Sequence, residues 1–154
     1  MEAIASISYL LQHTALMMMR QSDQVLQERL GIGMSQLRIL LLLLEQPNVQ
    51  QRKLADCLGQ TEASISRQIK LMAKKGYLTV TISPKSKREH VAVPTVKGIK
   101  ITQAAKEVLD LYNQPIATAL GEKKQKQLSE LLTEIHNHTC TSNKPFACDH
   151  SYKI

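Results

Sequence analysis

The ten residues TEASISRQIK, Thr61–Lys70, decide the fold. Folded as a helix, they place Ile65 and Ile69, with Met72 just beyond, on one face at the i, i+4, i+7 spacing of a core-facing stripe. The opposite face carries Ala63, Arg67, Lys70 and then Lys74, small and cationic groups where a surface helix usually mixes signs. One side of this helix is built to be held, and the other presents an excess of positive charge.

The flanks give the helix its ends. Gly59 in LGQT suits the residue just past a short helix in VQQRKLADCLG, and Thr61 followed by Glu62 reads as an N-cap with an acidic first turn. Lys74, Lys75 and Gly76 form a cationic last turn closed by glycine. Upstream, Ser35 can cap a helix running through SQLRILLLLLEQ to Pro47, so apolar that most of it must be buried. Before that, Ile4, Ile7, Leu10, Leu11, Met17, Met18 and Val25 recur at mostly three- and four-residue steps, predicting a long amphipathic helix that Gly31 and Gly33 end. Downstream of Gly76 the period changes to two. Leu78, Val80 and Ile82 alternate with threonines, SPKSKR forms a loop, and Val91 and Val93 follow, predicting a β-hairpin. Helix resumes at Thr95 and Gly98 and continues to Gly121 with a bend at Pro115, and a last helix runs from Glu122 through Leu128, Leu131, Leu132 and Ile135. Residues 141–154 show no sustained period and are expected to be loop.

Charge follows the same centre. The 154-residue chain carries +7 overall, but residues 51–100 hold eleven Lys or Arg against Asp56, Glu62 and Glu89, and the remainder is slightly acidic. A localised basic block on a folded domain is the footprint of a polyanion, most often nucleic acid, with a merely solvated basic surface as the alternative. Three cysteines, an odd number, point to a reducing compartment. The acid in MEAI and the interruption by Gln12 and His13 argue against a signal peptide, and Ile39–Leu44 is far short of the ~20 residues that span a bilayer. A cytoplasmic protein without membrane association is the expectation.

Helix, short helix, capped helix and basic-tipped hairpin is the order of a winged helix-turn-helix. The expected fold is mainly α with a small β-hairpin wing, divided as an N-terminal helix (1–30), the winged unit (31–98) and C-terminal helices (99–140). At these residues the chain resembles a known family. LADCLGQTEASISRQIKLMAKKGYL followed by SPKSKREHVAVPTVKG is similar to the multiple antibiotic resistance regulator (MarR) family of bacterial transcription factors, over about residues 30–121 and in helix order to about His136. Its most specific positions are Leu54, Leu58, Gly59, Thr61, Ser66, Arg67, Lys75 and Gly76, joined by Pro84, Arg88, Thr95 and Gly98.

The resemblance implies a homodimer whose N- and C-terminal helices intertwine as dimerisation helices, each side presenting a winged helix to pseudo-palindromic double-stranded DNA. It also implies repression relieved by a small lipophilic or phenolic effector, an oxidant or a metal, and no required cofactor. Two-fold symmetry sets half-sites ~10 base pairs apart. The sequence departs from the family's pattern in the hairpin, where Ser83 and Ser86 stand at positions commonly aspartate and Pro94 at one usually leucine.

The candidate DNA-binding residues are Thr61, Ala63, Ser64, Ser66, Arg67 and Lys70 on the helix, and Lys85, Lys87 and Arg88 at the hairpin. Arginine grips guanine O6 and N7 bidentately, while hydroxyls serve bases or phosphates. Thr61 is a cap first and a phosphate contact second, and Ser66, at the flank, fits a structural role equally well. The hairpin cations suit phosphates or a minor groove. Cys57, on a short, packed helix, reads as a buried, inert thiol. Met17, Met18 and Met19 suit a core or dimer seam, or adapt to an apolar ligand.

The tail HNHTCTSNKPFACDH is a separate case. His136 and Cys140 at i, i+4, with Cys148 and His150, make a candidate zinc site, and Cys140 with Cys148 could instead close a disulfide on oxidation. The spacing matches no established zinc pattern, and solvated residues without a special role fit as well. A metal- or thiol-sensing regulator is therefore one alternative reading, and a winged helix used for protein or RNA contacts is another. No Gly-rich phosphate loop, paired acids or activated nucleophile suggests an enzyme.

Overall fold

The computed structural model describes residues 2–83 and 86–139, with the side chains of 2–5 and 82–90 excepted. Its elements run α1 (Glu2–Leu30), α2 (Met34–Glu45), α3 (Gln51–Leu58), α4 (Glu62–Lys74), β1 (Leu78–Ser83), β2 (Ser86–Pro94) and α5 (Val96–Thr139). Among the described residues the architecture is mainly helical with a single antiparallel hairpin, the expected winged helix-turn-helix between long terminal helices.

The core forms where the apolar stripes converge. Leu37, Ile39, Leu40, Leu42 and Leu43 of α2 meet Leu54 and Leu58 of α3 and Ile65, Ile69 and Met72 of α4, all buried. Each such side chain contributes roughly 1.5–3 kcal/mol by burial. The three from α4 together outweigh the roughly 1 kcal/mol that its cap supplies, so packing holds α4 in place and the cap sets where it begins.

The helix ends follow the glycines. Gly31 (φ 64°), Gly59 (φ 61°) and Gly76 (φ 77°) all take the left-handed conformation just past a helix. Ser35 does not cap α2. The N-cap position of that helix is Gly33, two residues earlier, and the helix starts at Met34, whose N–H is taken by Asp23 Oδ1 of α1 at 2.7 Å. A carboxylate from another helix thus supplies the acceptor expected from the local serine.

The hairpin pairs Thr79 with Val93, Val80 with Ala92 and Thr81 with Val91. In this register Ala92 shares a face with Leu78 and Val80 and enters the core, while Val93, paired with Thr79 on the other face, is exposed. Alternation had singled out Val91 and Val93; Val91 is fully buried as expected, and Val93 is the one left exposed. β2 also begins at Ser86, so Lys87 and Arg88 lie on a strand rather than in a six-residue loop. Pro94 ends β2, where its missing N–H costs no ladder bond.

Beyond the hairpin, α5 contains two helical runs joined at Gly121, whose φ of 67° and ψ of 162° are open to glycine and little else. The break falls there, and helix runs on through Pro115, where a bend was expected. The start of α5 fits closely against the hairpin. Thr95 Oγ1 donates to Gly76 O at 2.6 Å and accepts from Gly98 N at 3.0 Å, and a Cβ on Gly98 would lie 2.1 Å from the Tyr77 carbonyl oxygen.

Only the last third of α1 joins this core, through Leu26 and Ser22. Residues 12–20 are exposed, as are residues 121–139 of α5, so the apolar positions Ile7, Leu10, Met17, Leu128, Leu131 and Ile135 face outward in the single chain.

Candidate nucleic-acid interface

The sequence places α4 at the front of the molecule by burying its back. Ile65, Ile69 and Met72 are held against α2 and α3, so the side opposite them is necessarily presented. Ala63, Arg67, Lys70 and Lys74 are all exposed there, while Ser64 and Ser66 are half-buried at its two flanks. Leu71 is exposed on the same side, 45% accessible, four residues after Arg67. The face is therefore cationic and small with one large apolar group, which the charge pattern had not singled out.

Thr61 caps α4 as expected, its Oγ1 accepting from Ser64 N at 3.2 Å. A hydroxyl that accepts in this way keeps its own proton for an outside acceptor such as a phosphate oxygen.

Residues that sequence reading missed brace the flank. Gln60, in the α3–α4 turn, accepts from Ser64 Oγ at 3.1 Å and donates through Nε2 to Ser35 Oγ at 2.8 Å. Ser35, displaced from its expected cap, links the first turn of α2 to the turn before α4. Beside it Gln36 Nε2 donates to Gln68 Oε1 at 3.2 Å, a second polar tie between α2 and α4. The i, i+4 spacing of Gln60 and Ser64 was visible in the chain, but their link to Ser35 spans twenty-five positions and needed the fold.

At the hairpin, Lys87 and Arg88 belong to β2, Lys85 lies outside the described residues, and the side chains of all three lie outside those described. Of the four tail residues, only His136 is described, in the exposed last turn of α5, and Cys140, Cys148 and His150 lie beyond. Among the described residues no group of three or more His, Cys, Asp or Glu could hold a metal ion, and no helix is long and apolar enough to cross a membrane. Cys57, expected to be buried, is half-buried and packs against the core.

Comparison with known proteins matches this arrangement. The MarR family model matches residues 30–89, from the end of α1 into β2. The HTH-type transcriptional regulator BilQ of Clostridium symbiosum is 25% identical over 105 residues, covering 68% of this chain and 73% of its own length. A MarR/EmrR family transcriptional regulator from Acinetobacter sp. ADP1 superposes with a TM-score of 0.69 at 26% identity, over 90% of this chain and 94% of that one. The fold also matches that of S. aureus MepR solved in complex with DNA, with a TM-score of 0.68 at 23% identity, over 86% of this chain and 95% of that one. With its helix order, hairpin and presented cationic helix all in place, the chain is similar to MarR-family regulators over residues 30–89 and is a DNA-binding transcriptional regulator.

Proposed function

We propose that the chain acts as a homodimeric repressor, with α4 of each copy in successive major grooves of a pseudo-palindromic operator. Residues 31–98 form the DNA-binding unit, and residues 1–30 and 99–140 form the dimerisation helices. The observation that carries the DNA reading is the pairing on α4 of a fully buried Ile65–Ile69–Met72 face with an exposed Arg67–Lys70–Lys74 face. The buried face fixes orientation, and the exposed one supplies charge to phosphates and a bidentate donor to a base. Thr61, Ala63, Ser64, Ser66, Arg67 and Lys70 are the helix residues assigned to the groove. Lys85, Lys87 and Arg88 are assigned to the flanking backbone.

The dimer reading is supported by apolar side chains that one copy leaves in water. Tyr9 and Leu10 of α1 are 69% and 63% accessible, and Leu131 of α5 is 58% accessible. Two amphipathic segments with outward apolar faces, one at each end of the chain, are covered most economically by a second copy related by a two-fold axis. Release by a small lipophilic or phenolic effector acting on that dimer is the regulation the family resemblance supports.

The test is direct. Arg67→Ala combined with Lys70→Ala is expected to remove binding to duplex operator while sedimentation still finds the dimer. Unchanged DNA binding in that variant rejects the placement of α4. A wild-type chain that sediments as a monomer at micromolar concentration rejects the dimer.

A further inference from the structure

Ser64 has its hydrogen-bonding capacity fixed from two sides. Its N–H is committed to Thr61 Oγ1 at 3.2 Å and its hydroxyl proton to Gln60 Oε1 at 3.1 Å. Gln60 is in turn oriented by its amide nitrogen, which donates to Ser35 Oγ at 2.8 Å on α2. A serine hydroxyl has one proton and two lone pairs. With the proton spent inward, what Ser64 offers outward is an acceptor.

We propose that Gln60 is a positioning residue that sets the polarity of Ser64, so that Ser64 reads the exocyclic amino group of an adenine or cytosine in the major groove. The inference rests on the placement of α4 in that groove. In the major groove, amino donors belong to adenine N6 and cytosine N4, whereas guanine and thymine present acceptors that a proton-spent hydroxyl cannot satisfy. Ser64 stands one turn before Arg67 on the same side of α4, and Arg67 is donor-only. The two residues therefore impose opposite demands on neighbouring bases, an amino group for Ser64 and an acceptor edge for Arg67. The Ser35–Gln60–Ser64 bridge also ties this preference to the first turn of α2, so the polarity is enforced by tertiary contact rather than by α4 alone.

The experiment uses the full chain and random duplex DNA. Sequences bound by wild type, Ser64→Ala, Gln60→Leu and Gln60→Glu are selected and compared, locating the position in each half-site whose preference Ser64→Ala removes. Wild type is expected to prefer one base there by about tenfold. Gln60→Glu, which keeps an acceptor for the serine proton, is expected to retain that preference at lower overall affinity. Gln60→Leu, which releases the proton, is expected to flatten it. At that position the base is then replaced by its analogue lacking the exocyclic amino group, or, for a purine, by its 7-deaza analogue. Removing the amino group is expected to weaken wild type about tenfold and leave Ser64→Ala unaffected, whereas the 7-deaza change has no effect on either. The reverse pattern, loss with the 7-deaza base and none with the amino-less base, overturns the proposal, as does a Gln60→Leu profile identical to wild type. Enrichment by wild type with no position altered in Ser64→Ala also overturns it while sparing the groove placement. The absence of any enriched duplex rejects the groove placement itself.

Discussion

Lys75 Nζ donates to the carbonyl oxygen of Gly31 at 2.8 Å, so the residue that ends α4 also caps the residue that ends α1. The link continues, since Lys97 Nζ donates to the Lys75 carbonyl at 2.7 Å and sits 5.1 Å over the Tyr77 ring. Three segments far apart in sequence thus share one joint: the end of α1, the end of α4 and the first turn of α5. These contacts tie both terminal helices directly to the end of α4.

Replacing Lys75 by Met keeps the aliphatic stem and deletes the donor. The bond is solvent-exposed, so the expected loss is about 1 kcal/mol, read as a lower urea midpoint at unchanged slope. Lys75→Arg, which keeps a charged donor, is expected to recover most of it.

Gly98 and Gly59 are glycines for different reasons, and alanine separates them. At Gly98 a Cβ would meet the Tyr77 carbonyl oxygen at 2.1 Å, so α5 must shift. Overpacking of about 3 kcal/mol against a helix-propensity gain of about 1 gives a net loss of about 2 kcal/mol, and thermal unfolding is expected to fall by roughly 4–8 °C. At Gly59 a Cβ meets nothing within 4 Å, and the cost comes only from the backbone at φ 61°. Gly59→Ala is therefore expected to lose about 1 kcal/mol, half the effect at Gly98. Equal losses at the two sites would contradict the steric assignment.

Thr61→Val preserves shape and removes the oxygen that accepts from Ser64 N. The expected destabilisation is about 1 kcal/mol, with Thr61→Ser near wild type. If Thr61 also donates to a phosphate, Thr61→Val weakens duplex binding beyond what its stability loss explains, and uniformly across operator sequences. Binding assays at a temperature where both proteins are fully folded separate the two effects.

The hairpin cations and the helix cations are assigned different roles, and salt separates them. Lys87→Ala with Arg88→Ala is expected to flatten the slope of log affinity against log salt by about 2 while leaving the preferred operator sequence unchanged. Arg67→Ala is expected to relax sequence preference at one base pair per half-site, costing about 1–3 kcal/mol there. Titrations between 50 and 200 mM salt on matched and mismatched duplexes distinguish the two patterns.

Leu131→Glu introduces charge into the outward apolar face of α5, where residue 131 touches no core of its own chain. The variant is expected to sediment as a monomer at concentrations where wild type is dimeric, and to lose affinity for a two-half-site operator far more than for a single half-site. A dimer of wild-type strength would place the seam elsewhere.

Much of this protein was legible in the chain because the deciding information is local. The buried Ile65–Ile69–Met72 stripe, the Thr61 cap, the left-handed glycines at 31, 59 and 76 and the break at Gly121 are each written in a few adjacent residues, and each stands where periodicity or φ requirements put it. What the tertiary structure decided are matters of partner and register. Asp23 took the capping role that proximity had assigned to Ser35, because an acceptor from a packed helix reaches Met34 N as well as a neighbour in sequence does. The hairpin buried Val91 and Ala92 and left Val93 exposed, because what packs over each position, and not strand alternation alone, decides what is covered. Ser35 became a partner of Gln60, and through it of Ser64, only once α2 and the turn before α4 were packed together. Local sequence sets which surface α4 presents, through backbone propensity and burial. Three-dimensional contact sets the hydrogen-bond polarity of that surface, since a side chain's partners depend on what packing brings within 3 Å of it.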